Sequence, residues 1–204
     1  MKIPTMQECI KLMDDYCLPE NVRQHSFQVA KIAKLIADKF VEHGHSIDVN
    51  LVHSSALLHD ILKPIDFQDY TGISKECLLQ WKDLKKRFND CKHPEAAYLQ
   101  LKENYPEIAL IIRKHAYRAV ISDDDSIRPI TWEEKIVTYA DKRVAHTTIV
   151  SLEERFREGH KRWQEEPHYD PNLAEHVDKK YFDMEKEIFS QIPIKPEEIE
   201  NLID

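Results

Sequence analysis

Glycine is scarce in this chain: Gly44, Gly72 and Gly159 are the only three among 204 residues. So few, and so widely spaced, cannot write a Walker phosphate loop or a dinucleotide-binding glycine fingerprint. A sheet protein rich in tight turns is disfavoured for the same reason, which leaves helices. The four cysteines, Cys9, Cys17, Cys77 and Cys91, form no C-x-x-C pair and follow no secretory signal. They are expected to be reduced thiols of a cytoplasmic protein. No apolar run approaches the roughly 20 residues of a membrane span. Positive charge is also in deficit, 29 basic against 37 acidic side chains for a net charge of −8. Broad binding to nucleic acid or to an anionic membrane is disfavoured, whereas a small anionic substrate needs only a local positive pocket.

What is present is globular: 42% hydrophobic and 32% charged residues. A chain of this length buries roughly 70% of its unfolded surface, enough for one self-sufficient core. Helical periodicity dominates. A first helix is expected from Thr5 to Tyr16, and a second from an N-cap at Asn21 to Gly44, with Val22, Val29, Ile32, Ala33, Ile36, Ala37 and Phe40 on one face. Asp48 opens an all-round apolar helix expected to run from Val49 to Leu62 until Pro64 ends it. Residues 63–89 read as a lid-like connection around a short helix from Cys77 to Leu84. Pro94 and Pro106 suit first-turn positions of the next two helices. Thr131 with Glu134 and Ser151 with Glu154 spell two capping boxes, the first for a helix through Ala145. A last helix spans Asn172 to Ile188, ahead of a tail carrying Pro193 and Pro196.

Six residues stand out beside apolar neighbours: His25, the adjacent pair His59 and Asp60, His93, His115 and Asp141. Imidazole nitrogens with carboxylates able to bridge are the ligands that suit divalent transition metals. The adjacency of His59 and Asp60 is the most specific feature. Neighbouring helical positions point about 100° apart, so both reach one ion only at a helix seam or end. Without an ion, Asp60 would be a buried charge lacking a partner.

This ordered pattern, from Val22 to Val144 and so over half the chain, resembles the HD-domain superfamily of metal-dependent phosphohydrolases in its HDIG-like branch. The resemblance implies an all-α HD-domain bundle over residues 1–150, with residues 151–204 as a C-terminal helical extension packed on the same domain. It implies that His25, His59, Asp60 and Asp141 hold one divalent metal, and that Asp60 bridges to a second held by His93 and His115. Iron, manganese or another transition metal would serve. Lys63 matches the family lysine that contacts substrate phosphate, so Asp60 and Lys63 are the expected catalytic residues. Leu62 replaces the glycine of the short motif, and no Gly-Tyr-Pro signature is present. Its absence speaks against the cyclic di-GMP phosphodiesterases of the HD-GYP type. Tyr139-Ala140-Asp141-Lys142-Arg143 is similar to the closing motif of the subfamily.

The expected activity is hydrolysis of a phosphate ester or anhydride in a small, nucleotide-type substrate by water that the metals activate. Arg118 and Arg143, near ligands in sequence, are expected to add a bidentate grip on phosphate. A nucleoside monophosphate phosphatase is the competing enzyme reading, and a non-catalytic metal- or nucleotide-binding sensor the competing class. An oxygenase, as in di-iron HD domains, would call for an apolar pocket without phosphate-binding cations. Oligomerisation is left open. Plainer readings also apply: Lys63 suits a helix end for its macrodipole, and His43, His45, His53, His146, His160, His168 and His176 are expected to be structural or solvent-facing. The basic run Lys82, Lys85, Lys86 and Arg87 reads as a solvated helix face, and Trp81 as a packing residue able to stack a base only if the lid closes.

Overall fold

Local chemistry sets the helix boundaries in the computed structural model, which describes residues 2–89, 91–165 and 168–203. Thr5 and Glu8 form a reciprocal capping box that opens α1 (Met6–Asp15). Pro19, held extended at φ −62° and ψ 149°, starts α2 (Glu20–Glu42), so Asn21 lies inside the first turn and is not the N-cap expected of it. The α2 face from Val22 to Phe40 is buried as its periodicity requires, and Gly44 supplies the positive φ of +83° that turns the chain out of the helix.

Asp48 caps α3 (Val49–Leu58) by accepting from the Leu51 amide at 3.0 Å. This helix ends four residues before the expected boundary. The Ile61 amide reaches back to Leu58 O at 3.0 Å and the Lys63 amide to Asp60 O at 2.8 Å, both three-residue turns. The tightened chain passes straight into a 3₁₀ helix, Lys63–Asp66, with Pro64 in its first turn. Pro64 therefore begins a turn here and does not terminate α3. His59, the C-cap of α3, keeps helical dihedrals of φ −56° and ψ −37°, so the chain tightens only beyond it.

Ser74 caps α4 (Lys75–Arg87), a longer helix than the expected Cys77–Leu84 segment. Its Trp81 is buried and donates Nε1–H to Tyr16 O at 3.0 Å, while Gln80 donates to Asp15 O at 2.7 Å. These contacts bring α4 against the α1–α2 turn. There Cys17 and Cys77, with Cα atoms 5.6 Å apart, form a disulfide. The expectation of four reduced thiols is corrected accordingly, since a sequence separation of 60 conceals the pairing from the sequence.

Pro94 and Pro106 occupy first-turn positions of α5 (His93–Leu101) and α6 (Pro106–Lys114). After the 3₁₀ helix Tyr117–Ile121, the Thr131–Glu134 capping box opens α7 (Trp132–Lys142). This helix stops short of Ala145, because Val144–Ala145 and Thr148–Ile149 pair as a small antiparallel hairpin, β1 and β2, around His146 at φ +56°. The Ser151–Glu154 box opens α8 (Leu152–Trp163) and Asp170 caps α9 (Pro171–Phe189).

Among the described residues the fold is all-α apart from that hairpin. α2 packs along α3, α7 lies across both, and the α5–α6 pair closes on α3 through α6. α9 packs on α7 and on the Tyr117–Ile121 turn. Val177, Tyr181, Met184 and Ile188 of α9 belong to the same hydrophobic cluster as Phe40, Leu57 and Ile108. Among the described residues no helix is long and apolar enough to cross a membrane.

Candidate metal centre

Five segments deliver the polar residues of the core to one place. His25 comes from the second turn of α2, His59 and Asp60 from the tight turn after α3, His93 from the start of α5, His115 from the end of α6 and Asp141 from the last turn of α7. His25 Nε2 lies 3.1 Å from Asp141 Oδ1, and His59 Nε2 lies 3.5 Å from the same oxygen and 3.6 Å from Asp60 Oδ2. The other Asp60 oxygen faces the opposite way: Oδ1 is 2.9 Å from His93 Nε2 and 3.5 Å from His115 Nε2, which are 3.3 Å from each other. All six residues sequence reasoning singled out are thus brought together, and the carboxylate of Asp60 stands between two groups of imidazoles. His25, His59 and Asp141 form one set of converging donor atoms; His59, Asp60 and His115 form another.

Each imidazole is oriented from behind. His25 Nδ1 lies 2.9 Å from His146 O, His59 Nδ1 2.8 Å from Ala56 O, and His93 Nδ1 2.7 Å from Asp66 Oδ2; His115 Nδ1 meets Ile112 O. Carbonyl and carboxylate oxygens only accept, so each Nδ1 carries the proton, and in the neutral ring each Nε2 presents a lone pair to the centre. Lone pairs facing lone pairs in a buried space are unfavourable unless something electron-poor lies between them. Two atoms state the deficit directly. His59 Nε2 and Asp60 Oδ1 are buried without a hydrogen-bond partner.

The charge state points the same way. Burial would raise the Asp60 carboxyl, but the Lys63 ammonium, joined by His59 and His93 whenever their rings are protonated in place of a bound cation, holds it well below the usual carboxylate range. Asp141 is likewise depressed against its burial by Lys142, His25 and His59. Burial pushes His115 down to about 4, so its ring is neutral. Two ionised carboxylates and a set of inward lone pairs fit a divalent cation. The donor separations also match edges of a coordination shell with metal–ligand bonds of about 2.0–2.2 Å, which are roughly 3 to 3.6 Å long.

Two lysines border the cluster. Lys63 Nζ is 3.6 Å from Asp60 Oδ1 and its side chain is 38% exposed, at the rim. Lys142 Nζ bonds Asp141 Oδ2 and approaches His115 O at 3.5 Å. The arginines expected to grip phosphate lie elsewhere. Arg143 is buried, donating Nε–H to Val150 O at 2.6 Å, Nη1–H to the Tyr139 hydroxyl and Nη2–H to Pro196 O at 3.1 Å. Its guanidinium ties the hairpin and the C-terminal segment to α7, so the phosphate-binding expectation for Arg143 is corrected. Arg118 is exposed and lines a separate cavity of about 440 Å³ with Tyr117, Trp163 and Tyr169.

Two supporting groups lie outside the six residues of the ordered pattern. Asp66 gives no sign of its pairing with His93 across 27 residues. The buried pair of Lys114 and Glu134, 2.7 Å apart, joins α6 to α7 immediately behind His115. A charged residue next to a ligand was the only signal for the second.

Residues 22–145 match the family model described as the HD domain. An uncharacterized protein of Methanocaldococcus jannaschii is 26% identical over 167 residues, which cover 76% of this chain and 85% of that protein. No solved structure gives a significant match.

Proposed function

Since the chain belongs to the HD-domain family, a family of divalent-metal hydrolases, we propose that it hydrolyses a phosphate ester or anhydride bond in a small, nucleotide-type substrate, using two metal ions per chain. The observation that carries this reading is the Asp60 carboxylate, whose two oxygens face two different groups of imidazoles. His25, His59, Asp60 and Asp141 would hold one ion; Asp60, His93 and His115 would hold the other. Such a pair of ions supplies a water of lowered pKa and neutralises charge on phosphoryl oxygens.

The chain itself does the positioning. The four Nδ1–H donors lock the imidazoles in the tautomer that turns Nε2 inward. Lys63 stays cationic: burial would lower its pKa, but Asp60, Asp141 and Asp66 outweigh this and raise it. At the rim, 3.6 Å from Asp60 Oδ1 and 38% exposed, its ammonium would meet a non-bridging phosphoryl oxygen. No protein nucleophile is required, because the attacking oxygen comes from water.

The presence of Lys63 and Lys142 beside the cluster supports hydrolysis over oxygenase chemistry, which has no need of phosphate-binding cations. The test is chromatographic detection of hydrolysis products from a panel of nucleoside monophosphates, cyclic nucleotides and dinucleoside polyphosphates, by protein loaded with manganese or iron. Turnover of at least one class, abolished by a chelator and restored by metal, is expected. Cleavage of monophosphates alone would select the phosphomonoesterase reading. No turnover of any phosphate compound would leave a sensor in its place.

A further inference from the structure

We propose that Asp66 is a positioning residue that governs metal occupancy of the His93–His115 half of the centre without governing the His25–Asp141 half; the inference rests on the two-metal reading above. Three of the four imidazoles are held by backbone carbonyls. His59 and His115 each use the carbonyl three residues earlier in the helix they end, Ala56 O and Ile112 O, and His25 uses His146 O. His93 is the first residue of α5 and has no preceding helical turn to supply such a carbonyl. Its Nδ1 is taken instead by a side chain, Asp66 Oδ2 at 2.7 Å, and the same oxygen lies 3.4 Å from the His93 amide nitrogen.

The difference has two consequences. An ionised carboxylate is a stronger acceptor than a carbonyl, so it makes the His93 ring a more basic ligand. It is also a removable one, since a side chain can be substituted where a backbone carbonyl cannot. Among the described residues no hydrogen bond or ion pair joins Asp66 to His25 or Asp141, which lie on α2 and α7, whereas Asp66 sits on the 3₁₀ helix after α3 and bonds His93. That short helix carries Lys63 at one end and Asp66 at the other, so one element places both the cation beside Asp60 and the support of His93.

Cobalt(II) titration of metal-free protein, followed by visible absorption and calorimetry, tests the inference. Wild type should bind two equivalents. Asp66→Ala should keep one step unchanged and weaken the other about 10- to 100-fold, and Asp66→Asn, which retains an acceptor oxygen, should fall between. Imidazole ¹⁵N spectra of the metal-free protein give a second readout that packing alone would not move: His93 should be the Nδ1–H tautomer in wild type and a mixture in Asp66→Ala. An unchanged His93 tautomer in that variant overturns the proposal, as does equal weakening of both cobalt steps. A wild type that binds a single equivalent overturns the two-metal reading itself, and the selection between halves with it.

Discussion

Lys114 Nζ lies 2.7 Å from Glu134 Oε1, with both side chains all but excluded from solvent between α6 and α7. Glu134 also receives the amides of Ile130 and Thr131 on its other oxygen, at 2.7 and 3.1 Å. The pair therefore fixes α6 against the first turn of α7, the two helices that deliver His115 and Asp141. A buried ion pair adds little net stability but fixes the register of the elements it joins, because removing one partner strands the other charge. Metal ligands held by different helices depend on that register.

Lys114→Met should thus cost about 3–5 kcal/mol of folding stability, measured by chemical denaturation. The double variant Lys114→Met/Glu134→Gln should recover part of it. A single variant as stable as wild type would mean that water reaches Glu134 and that the pair does not set the register.

Coordination and helix packing make opposite predictions for Asp60. Asp60→Ala should abolish hydrolysis and the thermal response to metal, since the one carboxylate among the described residues that faces both His59 and His93 is gone. Wild type at a hundredfold excess of manganese over its dissociation constant should gain about 2.7 kcal/mol per site, or roughly 5–10 °C in a chain of this size. His53→Ala, at a half-buried position of α3 whose charged neighbours are Lys34 and Asp38 of α2, should leave both readouts almost unchanged. Equal losses in the two variants would assign the effect to packing.

The disulfide gives an independent prediction. Cys17 and Cys77 close a loop of sequence separation 60, for which chain entropy predicts about 4 kcal/mol of stabilisation. Reducing the unfolded protein should expose two more titratable thiols than are found before reduction, and Cys17→Ser/Cys77→Ser should unfold at lower denaturant under non-reducing conditions. Equal thiol counts before and after reduction would show the two sulfurs to be unbonded neighbours.

Residues with a local signature were legible in the sequence, and residues defined by distant partners were not. Thr5, Asp48, Thr131 and Ser151 announce helix starts because a cap is satisfied within three residues. The six residues of the centre could be listed from their order and from the His59–Asp60 adjacency. The early end of α3 could not be foreseen, because Ile61 and Leu62 are apolar and continue the helical pattern while the backbone tightens beneath them. Asp66, Arg143 and the Cys17–Cys77 link escaped for one shared reason. Each is defined by a partner 27 to 60 residues away, and Arg143 next to Asp141 looked like a phosphate ligand only because its consumers, Val150 and Pro196, come later in the chain.

Lys63 tests the substrate class. A lysine near a helix end is favoured by the macrodipole only at the C-terminus, yet Lys63 opens a 3₁₀ helix five residues beyond the end of α3. The dipole does not account for it there, which leaves the carboxylates of the centre and a phosphoryl oxygen as its partners. Lys63→Ala should therefore retain both metals while losing about 2–4 kcal/mol of transition-state stabilisation, the usual cost of deleting one preorganised charge partner. Lys63→Arg should recover only a fraction, because a planar fork does not replace a compact ammonium at a fitted position. The loss should be similar for every base in a nucleotide panel if the ammonium reads phosphate. Catalytic efficiency measured alongside bound-metal analysis separates the cases: lower activity with full metal supports the phosphate contact, and lower activity with lost metal would show that Lys63 serves the Asp60 carboxylate instead.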